Sequence, residues 1–187
     1  MNQDYIVSCI IPIASLIVAI ITLIVAIYIP RKIKIDQQFS SLIEQYRSPE
    51  IGYAIHSIFH FFVIDCEQNP DNIKKKYVER FNEEIGFPMK DKIDPAKTLH
   101  FQRRLISYFY WDLAKLIFES RFPCLKKKQY SQMVEKNELN LINLILHMSE
   151  ANIECFVKYK NIPELQDNEV SMNKLLKRLL NKTKNSV

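Results

Sequence analysis

The longest pattern in the chain is an uncharged stretch of twenty-five residues, from Tyr5 to Ile29, which is followed by Pro30. At about 1.5 Å per residue a helix of this length reaches roughly 37 Å, enough to cross a hydrocarbon core of about 30 Å. The stretch therefore predicts one transmembrane helix. A cleaved signal peptide would instead need a basic leader and a shorter apolar region, and no lysine or arginine precedes the stretch.

The charges beside this stretch predict its orientation. Arg31, Lys32 and Lys34 follow it, whereas Asp4 is the one charged side chain before it. Because lysine and arginine next to a span are retained in the cytoplasm, we expect a single-pass protein of the inner (cytoplasmic) membrane, with its N-terminus outside. The expected organisation is a transmembrane anchor over 1–30, a juxtamembrane connecting helix over 31–48, a cytosolic helical domain over 49–180 and a flexible tail over 181–187.

Small or weakly polar residues recur along the span at alternating steps of four and three positions. They are Ser8, Pro12, Ser15, Ala19, Thr22 and Ala26. In lipid, small residues let helix backbones approach each other. Alternating steps of four and three positions average about 3.5 residues, and a hydrophobic or small-residue repeat of about 3.5 implies a left-handed helix crossing. The stripe predicts that the span self-associates in a homo-oligomer, with a closed pore as a further possibility and a chance arrangement as the alternative.

The remainder of the chain has apolar residues at helical spacing, only two glycines and no alternating strand pattern. We therefore predict an all-α fold, in which a single transmembrane helix is followed by a helical bundle. The predicted helices cover 36–46, 50–67, 72–85 and 95–120, then a long helix begins at Asn137. A final basic amphipathic helix has Met172, Leu175, Leu176, Leu179 and Leu180 on one side. We expect it to dock on the domain, and packing against a neighbouring subunit or on anionic lipid are the alternatives.

The helix predicted over 95–120 carries the candidate ligand site. Its expected buried stripe includes Leu105, Tyr108 and Phe109, and two arginines precede an aromatic cluster. The guanidinium of arginine can donate two hydrogen bonds to phosphate oxygens, and aromatic side chains stack on nucleic-acid bases. The candidate ligand-binding residues are Arg103, Arg104, Tyr110 and Trp111, together with Lys126, Lys127 and Lys128 beyond the helix. An ordinary structural network is the alternative, because Arg104, Tyr108 and Asp112 share one helix face.

The net charge of the chain indicates which kinds of partner it could bind. After Asp4 the chain has 26 basic against 20 acidic side chains, an excess of +6 that favours anionic partners such as lipid head groups, nucleotides or nucleic acid.

The sequence contains no phosphate-binding loop, nucleophile elbow, set of protein-kinase motifs or zinc deaminase pattern, so we predict no catalytic residues and no cofactor. His56 and His60 lie four apart but lack a third ligand at metal spacing, so no metal site is predicted. The four scattered cysteines are expected to be free thiols.

A resemblance is carried by three short stretches that follow the N-terminal span: Arg103-Arg104, Ser107-Tyr108-Phe109-Tyr110 and Leu113-Ala114-Lys115-Leu116. Together they resemble uncharacterised bacterial and phage proteins with one N-terminal span and a helical cytosolic domain. The architecture is also similar to membrane effectors of type III CRISPR defence, in which a cytosolic domain binds a cyclic oligoadenylate and an oligomeric span damages the membrane. This second likeness rests on architecture alone and implies no binding residue.

Two functional hypotheses follow. The first is a membrane effector of antiviral defence, a homo-oligomer whose helical domain binds an anionic, cyclic nucleotide-like messenger and whose spans then perturb the lipid membrane. The second is a non-enzymatic anchor or adaptor that holds a protein partner at the membrane.

Overall fold

The structure, a computed structural model, describes residues 3–85, 94–119, 136–159 and 163–184, and all regular structure in these ranges is helical. The predicted all-α fold is therefore confirmed over these residues. The α-helices are α1 (Gln3–Tyr46), α2 (Pro49–His60), α3 (Ile73–Glu84), α4 (Leu99–Glu119), α5 (Lys136–Tyr159) and α6 (Pro163–Lys184). A π-helix at Phe61–Asp65 follows α2, and short 3-10 helices at Pro70–Asn72 and Pro95–Lys97 precede α3 and α4.

One helix, α1, is long and apolar enough to cross a membrane among the residues that the structure describes. Its large apolar side chains between Ile13 and Ile29 are 44–62% exposed, so none of them is buried in the core of the described residues. The helix contains Pro12 and Pro30 and continues through both. Each proline removes only one backbone donor, and such an interruption is tolerated in a membrane helix.

The chain divides into two compact units, Met1–Ser41 and Leu42–Val187. In the second unit, α2 packs against α4, α3 packs against α5, and α6 packs against both α4 and α5. The last turn of α1 belongs to this unit, and its Tyr46 ring lies 5.4 Å from the ring of Phe109 on α4. These contacts place α4 at the centre of the helical unit.

The core of the second unit is built from one apolar face of each helix. Fully buried side chains are contributed by α2 through α6 and include Ile58, Tyr77, Phe109, Leu113, Ile142, Ile145 and Leu176. The apolar stripe of α6 is buried at Met172, Leu176, Leu179 and Leu180 and half-buried at Leu175. The prediction that the final helix docks on the domain is thus confirmed.

The junction between α1 and α2 lies between the helices predicted over 36–46 and 50–67, because α1 ends at Tyr46 and α2 begins at Pro49. Ser48 caps α2, its Oγ accepting a hydrogen bond from the backbone N–H of Ile51 at 3.3 Å. The helix predicted over 50–67 is shorter than expected. After His60 the chain changes to a π-helix, and Glu67 and Gln68 then adopt positive φ angles of 53° and 59°, which end the segment.

Candidate functional site

The inner face of α4 differs from the apolar stripe predicted for it. Leu99, Ile106, Phe109, Leu113 and Ile117 are buried as apolar core, but Gln102, Arg103 and Ser107 are buried beside them. Tyr108, which was expected inside, is 39% exposed. The buried face is rotated relative to the prediction because polar side chains occupy part of it.

A buried polar cluster forms where α3, α4, α5 and α6 meet, and its centre is an ion pair between Arg103 and Glu169. The guanidinium nitrogens of Arg103 donate to the two carboxylate oxygens of Glu169 at 2.8 and 3.2 Å, and one of them also donates to Ser149 Oγ at 2.9 Å. The cluster consists of Tyr77, His100, Arg103, Ser149, Asn152 and Glu169.

The carboxylate of Glu169 receives four hydrogen bonds in this cluster. Besides the two from Arg103, Ser149 Oγ donates at 2.6 Å and the Asn152 amide donates at 3.2 Å. Burial by itself raises the pKa of Glu169, but the charge of Arg103 and these hydrogen bonds outweigh it, so the net pKa lies below its usual value. Glu169 is therefore a saturated, ionised acceptor.

His100 stays neutral at the edge of the same cluster. Its Nδ1 lies 3.1 Å from the hydroxyl of Tyr77. Burial, together with the nearby charge of Arg103, lowers the pKa of His100 to about 3. Burial also raises the pKa of Tyr77 to about 12, so both partners are uncharged around pH 7.

A cavity of about 260 Å³ lies beside this cluster, between α4 and α6, and we call it the α4–α6 cavity. Two cluster members, His100 and Glu169, form part of its wall. The rest of the lining consists of Arg104, Tyr108, Trp111, Asn168 and Met172. The lining thus combines a cationic group, two aromatic rings and an amide with two members of the buried cluster.

The wall of the α4–α6 cavity contains hydrogen-bond donors as well as acceptors. Arg104 and Asn168 contribute N–H groups, and the buried indole Nε1 of Trp111 has no hydrogen-bond partner among the described residues. Lys115 adds a positive charge nearby, with its Nζ 3.5 Å from the centroid of the Trp111 ring. Since the charge of Glu169 is balanced by Arg103, the lining favours a ligand that is anionic and rich in acceptors.

The structure separates the residues that the sequence placed together as candidate ligand contacts. Arg104 and Trp111 line the cavity, whereas Arg103 and Tyr110 are each 0% exposed and are absent from its lining. Direct contact with a ligand therefore fits only the first two in the observed conformation. Lys126, Lys127 and Lys128 lie outside the described residues.

The alternative structural interpretation of these residues is confirmed in part. Arg104 donates to the hydroxyl of Tyr108 from Nε at 3.3 Å and from a terminal nitrogen at 3.0 Å. Tyr108 in turn packs against Trp111, with ring centroids 5.8 Å apart. The internal contacts orient Arg104 and the aromatic rings at the cavity without removing them from its surface.

Sequence reasoning missed Glu169 and Ser149, although one signal was present. Glu169 lies on the same helical stripe as Met172 and Leu176, and Arg103 lies on the stripe of Ile106 and Leu113. An acidic and a basic residue, each on the apolar face of its own helix, indicate an ion pair between the two faces. Their separation of 66 positions hides that relation in the linear sequence.

The predicted stripe for self-association lies on α1. Pro12, Ser15, Ala19, Thr22 and Ala26 are exposed there, and the side chain of Ser8 lies outside the described residues. Thr22 donates its hydroxyl to the carbonyl of Val18 at 2.8 Å, so this group is satisfied within its own helix. Self-association of the span remains a prediction.

A second cavity, of about 330 Å³, lies between α2, the π-helix, α3 and the start of α4. His56 and His60 are part of its wall, and their ring centroids are 6.3 Å apart. Arg80 and Glu84 form an ion pair there at 2.7 Å. Within the described ranges no three His, Cys, Asp or Glu side chains are arranged to hold a metal ion.

No protein-family model, curated protein or solved structure matches this chain.

Proposed function

We propose that this protein is a single-pass membrane sensor and effector, whose helical domain binds an anionic, nucleotide-like messenger in the α4–α6 cavity. The observation that carries the proposal is the composition of that cavity. Arg104 offers a guanidinium beside the aromatic rings of Tyr108 and Trp111, while the carboxylate of Glu169 in the lining is balanced by Arg103. Charge-assisted hydrogen bonds and ring stacking are the interactions by which proteins hold nucleotides.

The size of the cavity limits what it holds in the observed conformation. A volume of about 260 Å³ lies just below the usual range of small-molecule pockets, about 300–1,000 Å³. It suits one base or one phosphorylated sugar of a larger messenger. The remainder of a cyclic oligonucleotide would extend over the surface or reach a second subunit, which agrees with a homo-oligomer.

The effector part of the proposal uses the helix α1. The ring of Tyr46, in the last turn of α1, packs on Phe109 of α4, and α4 contributes most of the wall of the cavity. A ligand that shifts α4 would therefore act on the end of the same helix that carries the apolar stretch. We propose that oligomeric spans respond to this movement and perturb the inner membrane, with the domain in the cytosol. The setting in antiviral defence rests on the architectural resemblance alone.

The test uses the full-length protein in lipid nanodiscs. Native mass spectrometry reports the number of subunits and any co-purified ligand, and isothermal titration calorimetry with a panel of nucleotides and cyclic oligoadenylates reports affinity. We expect Arg104→Ala to weaken binding about 10- to 100-fold, because a charge-assisted hydrogen bond contributes about 1.5–3 kcal/mol. Lys177→Ala, on the exposed side of α6, is the matched control and should leave the affinity unchanged.

A leakage assay tests the effector step. Liposomes that contain the protein and a trapped dye should release the dye only when the bound nucleotide is added, and Trp111→Ala should abolish the release. A monomer in nanodiscs, or intact liposomes with every nucleotide in the panel, would contradict the proposal.

A second candidate function, a protein adaptor at the membrane, is favoured by an apolar surface near the π-helix. Tyr53, Val63 and Ile64 are 55%, 44% and 59% exposed, and exposed apolar groups mark protein contact sites when they are contiguous. A partner that is captured by the wild-type protein and lost with a Val63→Ser/Ile64→Ser variant, without any nucleotide affinity, would favour this function over the first.

A further inference from the structure

A fully buried guanidinium lies directly behind the wall of the α4–α6 cavity. Arg103 has an exposed fraction of 0%, and the side chain of Glu169, which pairs with it, is 13% exposed. Glu169 also lines the cavity. Glu169 therefore contacts both the cavity and the guanidinium of Arg103.

The groups around that carboxylate form a complete oxyanion site. Two nitrogens of Arg103, the hydroxyl of Ser149 and the amide of Asn152 all donate to its two oxygens. The Nε of Arg103 is also buried and has no hydrogen-bond partner among the described residues. A forked guanidinium with additional N–H and O–H donors matches a phosphate as well as a carboxylate, because both present oxygens at similar spacing.

We propose that Arg103, Ser149 and Asn152 form an inner oxyanion subsite, which Glu169 occupies in the observed conformation as an internal substitute for the ligand. A phosphate or carboxylate group that enters through the α4–α6 cavity displaces the Glu169 side chain toward solvent and takes its place on Arg103. This inference rests on the proposed function, since it assigns to the anionic ligand a second contact beyond Arg104.

The exchange is physically reasonable because it never leaves the buried charge alone. One anion replaces another, so Arg103 stays paired throughout, whereas loss of Glu169 without replacement would strand a desolvated cation. The exchange also has a structural consequence. Glu169 is the residue through which α6 is tied to Arg103 of α4 and to Ser149 and Asn152 of α5. Its release would loosen α6 and so report ligand binding to the rest of the domain.

Chemical rescue distinguishes this subsite from an ion pair that is only structural. The variant Glu169→Ala, in the full-length protein in nanodiscs, removes the internal carboxylate and opens a space beside Arg103. Its thermal unfolding is followed by Trp111 fluorescence while sodium acetate or inorganic phosphate replaces chloride at constant ionic strength. We expect the variant to unfold at a lower temperature than the wild type in chloride, and acetate or phosphate to recover several degrees with a saturable dependence.

Two further variants control the interpretation. The double variant Arg103→Met/Glu169→Ala lacks the cation, so it should show no specific response to either anion. Glu169→Gln fills the space with a neutral amide, and it should also fail to respond. Rescue by acetate but not phosphate would identify a carboxylate subsite, and rescue by phosphate would identify a phosphoryl subsite.

The proposal is overturned if Glu169→Ala shows no saturable rescue, or if the double variant responds equally. Should Glu169→Ala fold only when it is purified in acetate or phosphate, that dependence is itself the rescue. Should it fold in none of the three anions while the double variant folds, the site is closed to external anions and the proposal fails. Nucleotide binding that depends on Arg104 would then still stand, so the failure of the inner subsite is distinguishable from failure of the proposed function.

Discussion

The buried polar cluster and the wall of the α4–α6 cavity are two regions that begin at neighbouring residues of one helix. Arg103 has an exposed fraction of 0% and pairs with a carboxylate from α6, while Arg104 is exposed and donates to Tyr108, one turn along its own helix. Successive residues of a helix point about 100° apart, so identical side chains meet different environments. Arg103 connects α4 to α5 and α6, whereas Arg104 lines the α4–α6 cavity.

This difference teaches that charge in the domain has two separable energetic roles. A desolvated cation is costly unless its partner is present, so residues of the cluster should control stability. A solvated cation interacts weakly with the protein, so residues of the wall should control ligand affinity with little effect on folding. The following predictions test that division, beginning with the largest expected effect.

Substitution of Arg103 by Met should destabilise the protein most. Removal of the guanidinium leaves Glu169 as an uncompensated charge in a largely buried position, and such losses are about 3–5 kcal/mol in the free energy of unfolding. Urea unfolding in detergent, followed by Trp111 fluorescence, measures it. The matched variant Arg104→Met should change the same quantity by no more than about 0.5 kcal/mol. Equal losses from the two variants would remove the distinction between cluster and wall.

The pH dependence of stability should come in part from His100. Its pKa is about 3 in the folded protein, below the ordinary 6.5, so the unfolded chain binds more protons between these values. The free energy of unfolding should therefore fall as the pH is lowered, by about 1.4 kcal/mol per pH unit for this residue.

The free energy of unfolding, measured at pH 6.5 and at pH 5, tests this effect, because both pH values lie above the ordinary pKa of most carboxylates. His100→Gln should flatten the slope, because the glutamine cannot gain a proton on unfolding. Arg103 and Glu169 remain in place in both proteins, so their charges cancel in the comparison. An unchanged slope in the variant would show that other groups set the acid sensitivity.

Two buried tyrosines test whether hydrogen bonding within the cluster matters. Tyr77→Phe removes the hydroxyl next to His100, and loss of this hydrogen bond should destabilise by about 1 kcal/mol. Tyr110→Phe is the matched change outside the cluster. The hydroxyl of Tyr110 is buried without a hydrogen-bond partner among the described residues, so its removal should be neutral or slightly stabilising. Thermal unfolding of both variants in one buffer decides between these outcomes.

The smallest effect is expected at an ion pair on the surface of α6. Lys177 bonds to Glu150 at 2.7 Å, but the two side chains are 57% and 47% exposed. Lys177→Ala should cost less than about 0.5 kcal/mol, and the difference should disappear at high salt. A loss as large as that of Arg103→Met would mean that pairing of charges, rather than their burial, dominates the energetics of this domain.

Local signals in the sequence predicted the helices well where capping and periodicity agree. The helix predicted over 36–46 ends where α1 ends, at Tyr46, and the helix predicted over 72–85 corresponds to α3 at Ile73–Glu84. The π-helix after His60 was missed, because apolar residues at Phe61, Phe62, Val63 and Ile64 fit either helical geometry. Tyr108 was assigned to the core for a similar reason, since an aromatic residue gives no local indication of which side its helix buries.

Composition and periodicity by themselves determined that the chain is helical and that one uncharged helix is long enough to cross a membrane. These properties depend on residues within a few helical turns of one another, so they can be predicted from the sequence. Only the tertiary structure decided which arginine is buried and which lines a cavity. The partner that makes burial of Arg103 tolerable is Glu169, 66 positions away, and desolvation of a charge is compensated only when the folded chain brings such a partner into contact.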